Sequence, residues 1–181
     1  MLRTVVQPAN LNDAALADLK NWLGISRSGE DALLVDLLGA SLAMCEAFTN
    51  QTPLQQIVEE QVPAIAGRYC LTSRPFRSLI QAELVGPDAM RTAINQQSFE
   101  AGPDLSGTAQ VTIKTDLDGQ AVAVQAQVGI ATDWAALPKA LKQGIIRLAA
   151  HYYRDRDTEN ASQPPASVTA LWRPWRTLRL K

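Results

Sequence analysis

Two apolar segments with helical spacing, one in each half of the 181-residue chain, constrain the fold more than any other feature. Each places apolar side chains along one face of a helix, and such a face must be shielded from water. The positions are Leu34, Leu38, Leu42 and Phe48 in the first segment and Leu141, Ile145, Leu148 and Tyr152 in the second. We therefore predict two long helices, over about 29–49 and 137–157, that pack together in the subunit core. A shorter helix is predicted over about 13–23, between the capping residues Asn12 or Asp13 and the stop at Gly24.

The stretch between these helices has strand character. Short apolar runs broken by Pro and Gly fill residues 54–130, and the clearest two are AQVTIKT and QAVAVQAQV around Asp116-Leu117-Asp118-Gly119. Period-two alternation around a turn ending in Asp-Gly predicts a β-hairpin, one face of which is wetted or covered by another subunit. The predicted fold class is α+β: a small helical bundle with a β-rich insertion of residues 54–130 between its long helices. Residues 1–160 form this core, and residues 161–181 form an extended C-terminal tail.

Charge is distributed unevenly along the chain. Residues 30–133 contain 13 acidic and five basic residues, whereas residues 161–181 contain four basic residues and no acid. Binding to duplex DNA depends on basic clusters that displace counterions, so the acidic body disfavours this function.

The sequence gives no indication of a membrane segment or a disulfide. No apolar run approaches the roughly 20 residues needed to cross a bilayer, and the N-terminus lacks the apolar core of a signal peptide. Cys45 and Cys70 are expected to be free thiols in a reducing compartment. We therefore expect a soluble protein made in a cytoplasm, with no membrane partner.

Residues suited to catalysis are scarce. His151 is the single histidine and is expected to be a packed or surface residue. The acid pairs at 30–31 and 116–118 are explained by a helix start and a turn, and Glu59 and Glu60 point to opposite faces of a strand. Motifs for nucleotides or zinc do not occur. We expect no enzyme, no cofactor and no metal.

The tail combines aromatic, apolar and basic residues. Its candidate docking residues are Leu171, Trp172, Arg173, Trp175, Arg176, Leu178 and Arg179. Trp and Arg are enriched at binding hot spots, and a short segment cannot bury two tryptophans against itself, so the tail is predicted to dock on a partner. Two alternatives remain open. The tail could fold back over its own subunit as a short amphipathic helix, or it could grip nucleic acid as part of an oligomeric binding module.

Three groups of motifs occur in order along the chain. The first is DLKNWLGIS followed by EDALLVDLLGASLAMCEAFTNQ, the second is Leu137-Pro138 leading to LAAHYYRDRD, and the third consists of Val168, Leu171, Pro174 and Arg176. They resemble the start, the Pro-started last helix and the closing motif of one family, the head–tail connector proteins of tailed bacteriophages and phage-like gene transfer agents. These proteins are also called adaptor or head-completion proteins.

The resemblance implies a structural role in the neck of a virion or phage-like particle. Family members form a ring, usually of twelve copies, below the portal and present a platform to the next neck or tail protein, a stopper or tail terminator. The implied partners are the portal, that next protein and further copies of the chain, with the tail docked on the portal and the two long helices packed side by side around the ring. DNA would pass through without sequence-specific binding. Asp116 and Asp118 are candidates to face this channel, the alternative being an ordinary solvated surface.

Overall fold

A computed structural model describes residues 3–95, 97–104, 107–155 and 164–177. The chain forms two compact units. One, the β unit, consists of Met1–Ala9 and Gln55–Ile130, and the other, the helical unit, consists of Asn10–Leu54 and Ala131–Lys181.

The helical unit is built around two long helices, one from each half of the chain. Its described helices are α1 (Asp13–Leu23), α2 (Asp31–Thr49), α3 (Lys139–Arg154) and α4 (Ala166–Trp172), followed by a single 3-10 turn (Arg173–Trp175). The side chain of Asn12 caps α1 by accepting from the amide of Ala15, and Gly24 ends it in the left-handed conformation. α2 begins at Asp31, two residues later than expected, and Asp31 binds the ammonium of Lys20 at 2.6 Å.

The predicted pairing of the two long helices is present. α2 packs against α3, and the apolar stripe of each helix is buried at this contact. The fully buried members are Leu34, Leu38, Leu141, Ile145 and Leu148, whereas Leu42, Phe48 and Tyr152 are half-buried.

The β unit contains two antiparallel sheets that share a core. Its strands are β1 (Arg3–Gln7), β2 (Gln56–Pro63), β3 (Gly67–Cys70), β4 (Phe76–Val85), β5 (Arg91–Ala93), β6 (Phe99–Pro103), β7 (Ala109–Ile113) and β8 (Ala121–Val128). The larger sheet has the order β1-β2-β8-β4-β5 and the smaller β3-β7-β6. The core cluster combines alternate residues of both sheets, among them Val58, Val111, Ile113, Val122 and Val124.

The predicted hairpin of β7 and β8 is wrong. β7 pairs with β3 and β6, and β8 pairs with β2 and β4, so the Asp116–Gly119 connection joins two different sheets. Alternation shows only that one face of each strand is buried. Both strands bury that face in the same core from different sheets, which satisfies the pattern equally well. β8 is accordingly a central strand, and its partners on both sides are strands of the same chain.

The prediction of an α+β fold is confirmed, but the description as a helical bundle with an insertion is not. The chain is rich in strands, and the β unit has its own core. It also includes β1, which precedes the first helix and pairs with β2. β1 is exposed along its whole length, so no burial pattern marked it in the sequence.

The expectation about apolar runs also needs correction. By length and composition α2 is long and apolar enough to cross a membrane. A core helix of a soluble protein passes the same test, and one face of α2 is buried against α3.

Candidate docking site at the C-terminal segment

The C-terminal segment begins with α4, a short helix that follows two prolines. The carbonyl of Pro165 accepts hydrogen bonds from the amides of Val168 and Thr169, which closes the first turn. Val168 and Trp172, four residues apart, lie on the same helical face, and both are buried. α4 packs mainly against α3, with further contacts to α2.

Trp172 occupies a slot in the helical unit and is fully buried. The slot exists because residue 144 is glycine: a Cβ there would overlap the indole. The indole N–H donates to the carbonyl of Leu141 at 3.4 Å, and the ring centroid lies 6.0 Å from that of Phe48. Both the apolar surface and the polar atom of Trp172 are therefore satisfied inside its own subunit.

The residues after Trp172 are held at the end of α2. The guanidinium of Arg176 lies 5.4 Å from the ring centroid of Phe48, and the side chain of Gln51 donates to the carbonyl of Trp175. The amide and hydroxyl of Thr177 both donate to the carbonyl of Thr49, at 3.0 and 3.2 Å. Thr49 is the last residue of α2, and carbonyls at a helix end need partners from outside the helix.

These contacts correct part of the docking hypothesis. For Trp172 the fold-back alternative describes the structure, because its surface is already buried and cannot also anchor a partner. Arg173 and Arg176 are exposed, and Leu171 and Trp175 are half-buried. Leu178 and Arg179 lie outside the described residues. Docking through the exposed and half-buried residues stays a prediction.

Asp116 and Asp118 are both exposed. A carboxylate oxygen of Asp116 accepts from the amide of Ala66 at 2.7 Å, and the amide of Leu117 donates to the carbonyl of Ala64. Asp116 thus stabilises two neighbouring loops of the β unit. Whether these acids face a channel stays a prediction.

Glu59 and Glu60, the remaining acid pair, are each held by hydrogen bonds to other parts of the β unit. Glu59 binds the guanidinium of Arg91 at 2.7 and 2.8 Å and accepts from Gln125, and the hydrogen bond from Arg91 holds the pKa of Glu59 below its usual value. Glu60 is buried and accepts from the amides of Thr72 and Ser73.

His151 has a partner that the sequence interpretation missed. Its Nδ1 lies 2.7 Å from a carboxylate oxygen of Asp155, one helical turn later. The i,i+4 spacing was the available signal. No group of three or more metal-ligating side chains is found in the part of the chain that the structure describes.

Solved structures with the same fold come from gene transfer agent (GTA) particles. A chain in the neck of an empty GTA particle, computed with C6 symmetry, has a TM-score of 0.80 and 24% identity. A chain in the neck of a native GTA particle, computed with C12 symmetry, has a TM-score of 0.79 and 23% identity, and one in the virion of a native GTA particle has 0.77 and 24%. Each similarity covers 100% of this chain and 98% of the other. No protein-family model and no curated protein matches the sequence.

Proposed function

We propose that this protein is a structural subunit of the neck of a phage-like particle, an adaptor that forms a ring between the portal and the next neck protein. The observation that supports this most strongly is the extent of the structural similarity to neck chains of GTA particles, which leaves no part of the chain unmatched. The same role follows from the sequence motifs at both ends of the chain.

The outward surface of α2 supports contact between neighbouring subunits. Beside its buried stripe, α2 carries a second apolar stripe, whose members are half-buried or exposed: Leu33, Leu37, Ala40, Met44 and Ala47. Such a surface on a core helix is typical of a contact with another protein chain. A contact between unlike surfaces of identical subunits forms a ring when successive copies, each rotated by the same angle, return to the first copy.

The C-terminal segment supplies the contact with the portal in this proposal. Its described part presents Arg173 and Arg176 at the surface and Trp175 half-buried, and the sequence continues with Leu178 and Arg179. Arginines beside an aromatic ring and leucines suit an acidic, partly apolar surface of a portal subunit.

The burial of Trp172 weakens the alternative that the tail binds nucleic acid. It needs tryptophans free to stack on bases, and Trp172 is buried. The acidic excess between residues 81 and 133, with Asp116 and Asp118, favours instead a wall along which DNA slides without sticking, because like charges repel.

Deletion of the gene from the producing cell tests the proposal. We expect filled heads without tails, seen by electron microscopy, and restoration of tails when the gene is supplied in trans. The purified wild-type protein should bind isolated portal rings and reach a ring-sized mass on them by native mass spectrometry. Normal tailed particles in the deletion strain, or a protein that stays monomeric with portal, would overturn the proposal.

A further inference from the structure

A cleft of about 320 Å³ opens in the helical unit between α1, α3 and the start of α4. Its wall includes Trp22, Arg147, His151, Arg154 and Val168. The volume has room for one or two side chains, so side chains of a short loop from another chain fit the cleft.

The chemistry of the cleft is aromatic and basic. Trp22 is 44% exposed, and the guanidinium of Arg147 lies 5.6 Å from its ring centroid. The Nε atom of Arg147 is buried without a hydrogen-bond partner. Arg154 is exposed at the rim, while Asp155, the single acid among the described residues of the wall, is engaged with His151. An exposed Trp stacked by one Arg and flanked by a second is the composition of a protein-binding hot spot that favours a carboxylate and an apolar group.

A turn of the β unit has the complementary chemistry. The segment Gly86–Met90 (GPDAM) joins β4 to β5 and contains an acid but no base. Met90 is 64% exposed, the largest value among the large apolar side chains of the described residues. Asp88 is also exposed, and its Oδ1 accepts from the amide of Met90.

The backbone of this turn is strained at Ala89, the residue before Met90. Ala89 has a φ of +60°, and a residue with a Cβ rarely adopts the left-handed region. The amide of Gly86 donates to the carbonyl of Met90, which holds the turn closed. Strain of this kind is often retained where a loop has a binding function.

We propose that the turn Gly86–Met90 of one copy docks into the Trp22–Arg147–Arg154 cleft of a neighbouring copy. The thioether of Met90 packs on the indole of Trp22, a favourable sulfur–aromatic contact, and the carboxylate of Asp88 pairs with Arg154 or Arg147. The contact joins unlike surfaces of identical chains, as a ring requires. This inference rests on the proposed function and names one of the contacts between its subunits.

Disulfide trapping tests the contact directly and does not need the portal. Two variants are made in a Cys70→Ser background, one with Met90→Cys and one with Trp22→Cys. Cys45 stays in place because burial raises the pKa of its thiol to about 12, which leaves it unreactive. Under mild oxidation the mixture should give a linked dimer at least tenfold faster than either variant alone. Linking in the mixture no faster than in either variant alone would overturn the inference.

Charge reversal tests the pairing in the assembled state. Asp88→Arg and Arg154→Asp each change an exposed residue, so both proteins should fold; Asp88→Arg also removes the exposed hydrogen bond from the amide of Met90, and its melting temperature should be slightly below that of wild type. The amount of ring that forms on the portal should fall at least tenfold for each single variant. For the double variant Asp88→Arg/Arg154→Asp this amount should be within about twofold of that of wild type. Asp118→Arg, an exposed acid on another loop of the β unit, is the matched control and should assemble normally.

The outcomes separate this inference from the proposed function. Normal rings from both single variants, or a double variant as defective as the singles, would overturn the contact while leaving the neck role intact. A wild-type protein that never binds the portal would overturn the neck role, and the trapping experiment would still decide the contact.

Discussion

The indole of Trp172 lies where a side chain on residue 144 would be. Glycine inside a helix costs about 1 kcal/mol relative to alanine, so its presence in the middle of α3 indicates that another group needs the space. The sequence contained this signal, but the partner could not be predicted, because Trp172 is 28 residues away and its segment has the composition of an unattached tail.

Gly144→Ala should destabilise the protein although alanine favours helix. The new Cβ overlaps the buried indole, and overpacking of a core costs about 1–3 kcal/mol, which exceeds the gain in helix propensity. The measurement is the free energy of unfolding in urea.

Gly39→Ala in α2 is the matched control. A Cβ there meets only Leu11 Cδ1, at 4.0 Å, so this variant should be stabilised by about 0.5–1 kcal/mol. Gly144→Ala should cost less in a Trp172→Leu background than in the wild-type protein, because the smaller side chain leaves room for the new Cβ. Equal effects of the two glycine substitutions would contradict the packing argument.

Among the elements, the long helices could be predicted and the strand partners could not. The apolar spacing of α2 and α3 reports which face of each helix is buried, and that face is the one that packs. For β7 and β8 the alternation and the Asp-Gly turn are local signals, whereas the choice of partner strand depends on β2, β3, β4 and β6, which are distant in sequence. β1 was missed because it buries no face, and α4 was predicted only as the fold-back alternative, because just two of its side chains are buried.

The same element, α4, decides how the C-terminal segment should be truncated. Removal of everything after Gln163 deletes Trp172 from the core and should cost several kcal/mol, since loss of a buried Trp side chain alone costs about 3–5 kcal/mol. Removal of residues 178–181 only should leave the melting temperature within about 1 °C of wild type, because Trp172 and the hydrogen bonds of Thr177 remain.

Portal binding is the informative readout for the shorter truncation. We expect its affinity for isolated portal rings to fall at least tenfold, measured by co-sedimentation, because Leu178 and Arg179 are lost. Arg173→Gln and Arg176→Gln should each weaken binding less. Undiminished binding by the protein that ends at Thr177 would place the portal contact elsewhere on the chain.

At the scale of the whole molecule, the two compact units use the chain differently. The helical unit brings together segments from both ends of the chain, whereas the β unit is built mostly from the middle and adds only β1 from outside it. The candidate channel residues Asp116 and Asp118 belong to the β unit and the candidate docking residues Arg173 and Arg176 to the helical unit, so the candidate contacts of the two units carry charge of different sign. This division is what a subunit needs if it must repel DNA at one surface and bind proteins at others.

The channel proposal makes a prediction for the assembled particle. Asp118→Lys reverses an exposed charge, and Asp116→Asn removes one while keeping an oxygen to accept from the amide of Ala66. If these acids line the DNA path, the double variant should assemble tailed particles of normal composition and deliver DNA several-fold more slowly. A lysine on the wall holds the polyanion by an attraction that weakens as salt rises, so the delay should shrink at higher ionic strength. The measurement is the rate of DNA release from purified particles at two salt concentrations, with Asp118→Asn/Asp116→Asn as the neutral comparison. Release at the wild-type rate at both concentrations would remove Asp116 and Asp118 from the channel.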